Sequence, residues 1–402
     1  MSETREYHLE LWKYLVVFGL LFLSTSFVVT NNILVNSITI ALWLMLIILC
    51  LWKSNTKIDK RVFLIGVFLS CVLVIANILS GMELVIAIKI VVIIVASMLA
   101  VSAISLTEFC NSYVKVMRLL CIVSLIGWML HFVMPGLFNY FIVINSAGRQ
   151  FSNWGLYVQI AGKGYSLIRN QGMTWEPGAF ATFIALAMLF EVYQKKNEME
   201  FKYIALYLAT SLSTFSTTGI VAVLLLCLYL VLTSNQDRSL RRKIIIVCLI
   251  AVIVLLPFQS LFFDQNTNST FGKILGYINT SDSGKVSSTS IRVNAITKCF
   301  QAFIEKPILG WGFDGLRDRT YEYTFGMNTC TFINYFAAYG IFFGVIVISG
   351  LWKFSKKLSY KGIDAIFIII FFFIITSTEN YVHNALFFAI SFYGYSQLYL
   401  EK

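Results

Sequence analysis

The sequence predicts an all-α polytopic membrane protein of about twelve transmembrane helices, with residues 1–402 forming a single transmembrane domain. Composition points there first: 58% of the residues are hydrophobic and only 13% charged, about half the charged share usual in soluble domains. Mean hydropathy is +0.78. Apolar stretches long enough to cross about 30 Å of hydrocarbon then recur from Leu11 to Leu400. Met1–Glu10 mixes both charge signs, and no small-residue cleavage site follows the first apolar stretch, so no cleavable signal peptide is expected.

The predicted spans fall at 11–29, 34–52, 62–79, 84–104, 114–133, 176–193, 202–214, 216–233, 243–263, 329–351, 362–376 and 382–399. Lys/Arg clusters at Lys53–Arg61, Lys195–Lys202, Arg238–Lys243 and Lys353–Lys361 sit in short loops between spans, and positive loops mark the cytoplasmic side. With the N-terminus inside, all four fall on that side, and so do both termini. The net charge of +11 therefore has a home in topology, and a continuous basic face for nucleic acid is not expected. The 202–233 region is the weakest pair, because Ser211–Gly219 interrupts it; a broken or re-entrant pair of helices fits such a sequence.

Two long segments face outward. Residues 134–175, rich in glycine and aromatic residues, read as irregular loop with a surface-lying helix. Residues 264–328, between spans nine and ten, read as a large loop with short amphipathic helices. One is expected from Ile291 to Glu305, with Ile291, Ala295, Ile296, Phe300 and Phe303 on its apolar side and Pro307 and Gly310 ending it. The eight cysteines lack metal-ligand spacing and read as small buried hydrophobes. The three histidines are far apart, and no metal site or cofactor is expected.

Polar residues at the mouths of spans carry the candidate chemistry. Arg169 and Glu176 lie seven residues apart, with Pro177 placed to begin a helix and Glu176 at its positive end. An interfacial anchor and a helix cap explain them equally well, but Tyr165, Trp175 and Gly178 beside them suit a sugar-binding entrance. In the second loop Arg292, Arg317 and Arg319 have the geometry for bidentate phosphate contact. Asn328, Tyr339, Glu379 and His383 complete an outward-facing set, His383 as an interfacial residue.

Taken in order, these segments resemble the O-antigen ligase and O-antigen polymerase superfamily of bacterial inner membranes. Arg169-x-x-Gly172-x-x-x-Glu176-Pro177-Gly178-x-x-Ala181 is similar to the arginine, glycine and Glu-Pro-Gly pattern of repeat-unit polymerases. Arg292 followed by Lys306-Pro-Ile-Leu-Gly-Trp-Gly312 is similar to the arginine and Pro-leucine-leucine-Gly-x-Gly element of the family's large periplasmic loop. Met327-Asn328 and Tyr339-Gly340 match the start of the span that closes it. The resemblance implies a metal-independent glycosyltransferase of the bacterial inner membrane, with its active site facing the periplasm. Its partners would be membrane lipids, an undecaprenyl-pyrophosphate-linked glycan donor and a lipid-linked acceptor, with a chain-length regulator and a flippase alongside. It also implies that Arg169 and Arg292 bind the donor pyrophosphate. Ligases place a histidine where this chain has Met327, and a thioether is no general base. That favours a polymerase of O-antigen, capsule or exopolysaccharide repeats over a ligase acting on lipid A-core.

Displacing a pyrophosphate-linked anomeric carbon needs cations for the leaving group and a modest base for the attacking hydroxyl. Glu176 is the expected base, with Glu379 behind it. Partial burial would suit a carboxylate to that task. Trp175, Gly178, Asn328, Tyr339, Arg317 and Arg319 are expected to line the substrate path. A transporter or flippase is the competing reading; it predicts inverted repeats and charges at the membrane midplane, and the sequence has no such repeat.

Overall fold

The computed structural model describes residues 2–54, 56–81, 84–145, 148–160, 168–195, 199–233, 242–246, 248, 288–359, 362–377 and 379–397. The chain begins with α1 (Ser2–Thr25), α2 (Phe27–Asn31), α3 (Ile33–Ser54), α4 (Lys60–Leu79), α5 (Leu84–Ala103) and α6 (Leu106–Val133). A 3-10 turn at Pro135–Asn139 leads into β1 (Ile142–Ile144), β2 (Gln150–Asn153) and β3 (Val158–Ile160). Then come α7 (Pro177–Gln194), α8 (Phe201–Ser213), α9 (Thr217–Thr233), α10 (Ser288–Glu305), α11 (Phe313–Thr324), α12 (Thr331–Leu358), α13 (Gly362–Thr376) and α14 (Ala385–Tyr395). Most of predicted span 243–263, the polar stretch 264–287 and Tyr165 lie outside the described residues.

The expectation of about twelve transmembrane helices is corrected. Among the described residues six helices are long and apolar enough to cross a membrane: Leu34–Ser54, Lys60–Leu79, Val85–Ala103, Leu106–Val133, Pro177–Gln194 and Thr331–Leu358. They support a polytopic membrane protein, and each coincides with a predicted span. Elsewhere the apolar sequence continues where the helix does not. Predicted span 11–29 is cut at Ser26, whose extended backbone bridges to Thr174. α8 has 13 residues, about 20 Å at roughly 1.5 Å per residue, short of a hydrocarbon core of about 30 Å. Among the described residues the 216–233, 362–376 and 382–399 spans likewise contain only the shorter apolar helices Thr217–Leu232, Ile363–Thr376 and Ala385–Tyr395.

The segment 134–175 also departs from the expected loop and helix. It holds a three-stranded antiparallel sheet in the order β1-β2-β3, with Val143 opposite Phe151 and Ser152 opposite Gln159. The sheet is anchored because Phe151 and Val158 bury with Phe27, and because Val158 N–H donates to the Gly172 carbonyl at 2.7 Å.

The chain divides into two compact units. One comprises Met1–Ser24, Ser37–Phe109 and Gly284–Lys402. Its centre is α12, which packs on α14, α13, α10 and α4. Small residues let backbones meet: a Cβ on Gly394 would lie 2.0 Å from the Gly350 carbonyl oxygen. α12 is broken at Gly340 (φ 80°, ψ −179°), a conformation open essentially to glycine alone. The 307–312 turn inserts there. Trp311 and Gly312 N–H donate to the Ala337 and Ala338 carbonyls at 3.0 and 2.8 Å, and Ile341 N–H donates back to the Pro307 carbonyl at 2.8 Å. The rigid turn read from the sequence thus supplies the hydrogen bonds that a broken helix lacks. α10 starts earlier than expected, and its inward stripe is only partly the expected one: Ala295 is buried as expected, with Cys299 and Ala302 beside it, whereas Ile296 and Phe300 are exposed.

The other unit comprises Thr25–Asn36 and Cys110–Ser283. α7 is buried on nearly every side, as its all-round apolar sequence requires. α9 reaches it through Gly219, where a Cβ would lie 2.1 Å from Cβ of Ala181. Near the end of α7, Glu191 is 1% exposed and is gripped by Arg118, whose Nε donates to Oε2 at 3.2 Å and whose Nη2 pairs with Oε1. Tyr207 Oη donates to the same carboxylate at 2.9 Å, and the Arg118 guanidinium stacks 3.2 Å from the Tyr203 ring centroid. Sequence reading missed this network.

Two outcomes follow for stability. Gly340→Ala places a Cβ 1.9 Å from the Ile308 carbonyl oxygen at a positive φ, so it should cost more than about 3 kcal/mol and lower the unfolding temperature of detergent-purified protein. Glu191→Ala leaves a largely buried guanidinium unpaired and should cost about 3–5 kcal/mol, whereas Arg118→Met, Glu191→Leu and Tyr207→Phe together should recover most of that loss in the same melt.

Candidate functional site

In the second unit the candidate site is the turn that runs from Arg169 into α7. Asn170 organises it. Its fully buried side chain donates from Nδ2 to Ser124 Oγ (3.2 Å) and Ser213 Oγ (2.9 Å), and its Oδ1 accepts from Gly172 N–H at 3.0 Å. This side-chain turn explains Gly172, which has φ 53° and lies where a Cβ would meet the Phe180 ring at 2.7 Å. Thr174 Oγ1 lies 2.9 Å from the Gln171 carbonyl and 2.7 Å from that of Glu176, closing the turn at its far end.

Arg169 is half-buried. Its Nε donates to the Thr214 carbonyl at 2.9 Å and its Nη2 to the Phe215 carbonyl at 3.2 Å. These carbonyls belong to the 214–216 break between α8 and α9, the interruption that the serine-rich sequence foreshadowed. A cation at the C-terminal end of α8 also meets the negative end of that helix dipole. Arg169 is therefore fixed by main chain at a helix break.

Glu176 precedes α7, and Pro177 begins the helix as the sequence predicts. The Glu176 backbone is extended (φ −155°, ψ 144°), and its side chain makes no capping hydrogen bond. The carboxylate is exposed rather than partly buried. Trp175 packs against the Phe27, Phe151 and Val158 cluster, and Gly178 is half-buried in the first turn of α7.

In the first unit the polar residues divide by burial. Tyr339, fully buried beside the Gly340 break, hydrogen-bonds through its hydroxyl to Nε2 of His383. The His383 ring also lies 4.5 Å from that of Phe313, whose N–H donates to Asn77 Oδ1 at 3.3 Å. His383 thus belongs to a packed cluster. Asn328 ties α11 to α12, accepting from Thr320 Oγ1 at 2.9 Å and, through its carbonyl, from Asn334 Nδ2 at 2.6 Å. Glu379 is 7% exposed, and its carbonyl accepts from Thr331 Oγ1 at 2.8 Å.

The arginines of this unit lie nearer the surface. Arg292 is half-buried on α10, with no ion pair among the described residues. Arg317 pairs with Asp314 at 3.1 Å and Asp318 at 3.6 Å. Arg319 grips Glu305 with two hydrogen bonds, of 3.2 and 2.8 Å. Among the described residues no group of three or more His, Cys, Asp and Glu side chains converges as a metal site would.

Comparison with known proteins gives a family likeness over part of the chain. No curated protein matches it. Residues 203–335 match a family model described as O-antigen ligase. That segment, about a third of the chain, contains Arg292, Arg317, Arg319 and Asn328, and it excludes Arg169, Glu176, Tyr339 and Glu379. The likeness is consistent with the broader ligase and polymerase superfamily and with glycan transfer in a membrane, and it distinguishes no subfamily.

Proposed function

We propose that this protein polymerises lipid-linked oligosaccharide repeats, moving a glycan from an undecaprenyl-pyrophosphate carrier to a sugar hydroxyl of a second lipid-linked repeat at the outer face of a bacterial inner membrane. The observation that carries the reading is the family likeness over 203–335, which contains the loop arginines. The Arg169–Gly178 turn supports it, because main-chain carbonyls orient a guanidinium seven residues before an exposed carboxylate.

The acceptor hydroxyl attacks the anomeric carbon as the carbon–oxygen bond to pyrophosphate breaks. Glu176 takes the hydroxyl proton and Arg169 neutralises charge developing on the departing pyrophosphate, a role that the family resemblance implies for Arg292 as well. Glu379, being nearly buried, is the second candidate for the base. The family's name favours a ligase as the alternative reading, and Met327 at the family's histidine position weighs against it.

Reconstituting the purified protein with a lipid-linked repeat unit should yield a ladder of multimers on gel separation. Product formed only after lipid A-core is added would make the protein a ligase. Arg169→Ala and Arg292→Ala should each abolish the ladder while leaving membrane insertion intact. Full chain growth in either variant would remove that arginine from the donor site. Glu176→Gln should slow turnover by about 10²-fold or more if it is the general base, and normal turnover would pass that role to Glu379.

A further inference from the structure

The helical hairpin formed by α10 and α11 encloses a cleft of about 90 Å³, lined among others by Lys298, Gln301, Glu305, Arg319, Thr320 and Tyr323. The cleft has room for a small polar group. Its chemistry is uneven. The Thr320 hydroxyl is committed to the Leu316 carbonyl (2.8 Å) and Asn328 (2.9 Å). Arg319 holds Glu305, and that hydrogen bond keeps the Glu305 carboxyl below its ordinary range, so the group stays ionised at neutral pH. Lys298 stands 4.0 Å over the Tyr323 ring and has no carboxylate partner among the described residues. The exposed Gln301 amide lies one turn further along the same helix.

Two cations against one carboxylate leave a single positive charge uncompensated in a cleft with one aromatic wall. A monoanion matches that charge. A dianionic phosphate would need both cations while facing Glu305, which lies 2.8 Å from Arg319. We propose that the α10–α11 cleft is an accessory glycan subsite that receives the carboxylate of an acidic sugar, with Lys298 as its ion-pair partner and Gln301 meeting a neighbouring hydroxyl. The subsite rests on the reading above that the protein handles glycans. It adds a sugar class to that reading: chains bearing uronic acids or similar carboxylates.

The test is a titration of full-length protein in nanodiscs with a glucuronic-acid-bearing disaccharide and with its neutral glucose counterpart, followed by calorimetry or saturation-transfer NMR. The acidic sugar should bind at least about tenfold more tightly, as a charge-assisted hydrogen bond implies. Lys298→Gln should erase the preference, and Lys298→Arg should keep it, with the unfolding transition of both variants unchanged. Equal binding of the two sugars, a preference that survives Lys298→Gln, or stronger competition by inorganic phosphate than by glucuronate would each overturn the proposal. The measurement needs neither lipid-linked donor nor turnover. Its failure would therefore leave chain growth standing, and loss of chain growth with binding intact would count against the polymerase reading alone.

Discussion

Main-chain polar groups must find partners within the protein wherever water is scarce, and this requirement shapes both units. A continuous helix meets it automatically; an interrupted one does not. In the first unit α12 opens at Gly340, and the 307–312 turn donates the N–H groups that the Ala337 and Ala338 carbonyls need. In the second unit the 214–216 break exposes the Thr214 and Phe215 carbonyls, and the Arg169 guanidinium supplies the donors. Neither break is a local accident, because each is stabilised by a segment distant in sequence. The glycines follow from the same demand: backbone can approach backbone at Gly310 and Gly340 only where no Cβ intervenes.

Charge is treated by a related rule. Glu191 is almost wholly withdrawn from solvent and survives there because Arg118 and Tyr207 saturate its oxygens. The Arg317–Asp314 and Arg319–Glu305 pairs are instead about half-exposed on at least one side, and pairs of that kind contribute little to stability. The buried network is a fixed part of the helix packing. The exposed pairs can exchange a protein partner for a ligand at small cost.

The long spans were legible because composition and length sufficed: α3 to α7 and α12 begin and end within several residues of the apolar limits in the sequence. The count was not legible, since hydropathy is blind to backbone direction. Ser26, Thr214 and Asn384 all lie in or beside apolar sequence, and tertiary hydrogen bonds at these points determine where helix stops or starts. The sheet was missed because its strands have three or four residues, too few to establish alternation. On α10 the apolar pattern marked Ala295 correctly and Ile296 and Phe300 wrongly as inward, because close packing selected the small stripe of Ala295, Cys299 and Ala302. At the candidate site the motif spacing located Arg169 and Glu176. It overlooked Asn170, although an asparagine two residues before a glycine is a recognisable turn signal.

Burial separates the polar residues that hold shape from those able to meet a substrate. Asn170, Tyr339, Asn328 and His383 are packed and hydrogen-bonded, so removing a partner from any of them would leave a desolvated polar atom. Arg317, Arg319, Lys298 and Glu176 retain access to solvent, so a ligand that met them would replace water rather than a buried protein contact. Arg169 stands between the groups, anchored by two carbonyls yet only half-buried. That position suits a residue required to present charge in one orientation: the helix break fixes the guanidinium plane before any anion arrives, so less rotamer entropy is lost when one binds.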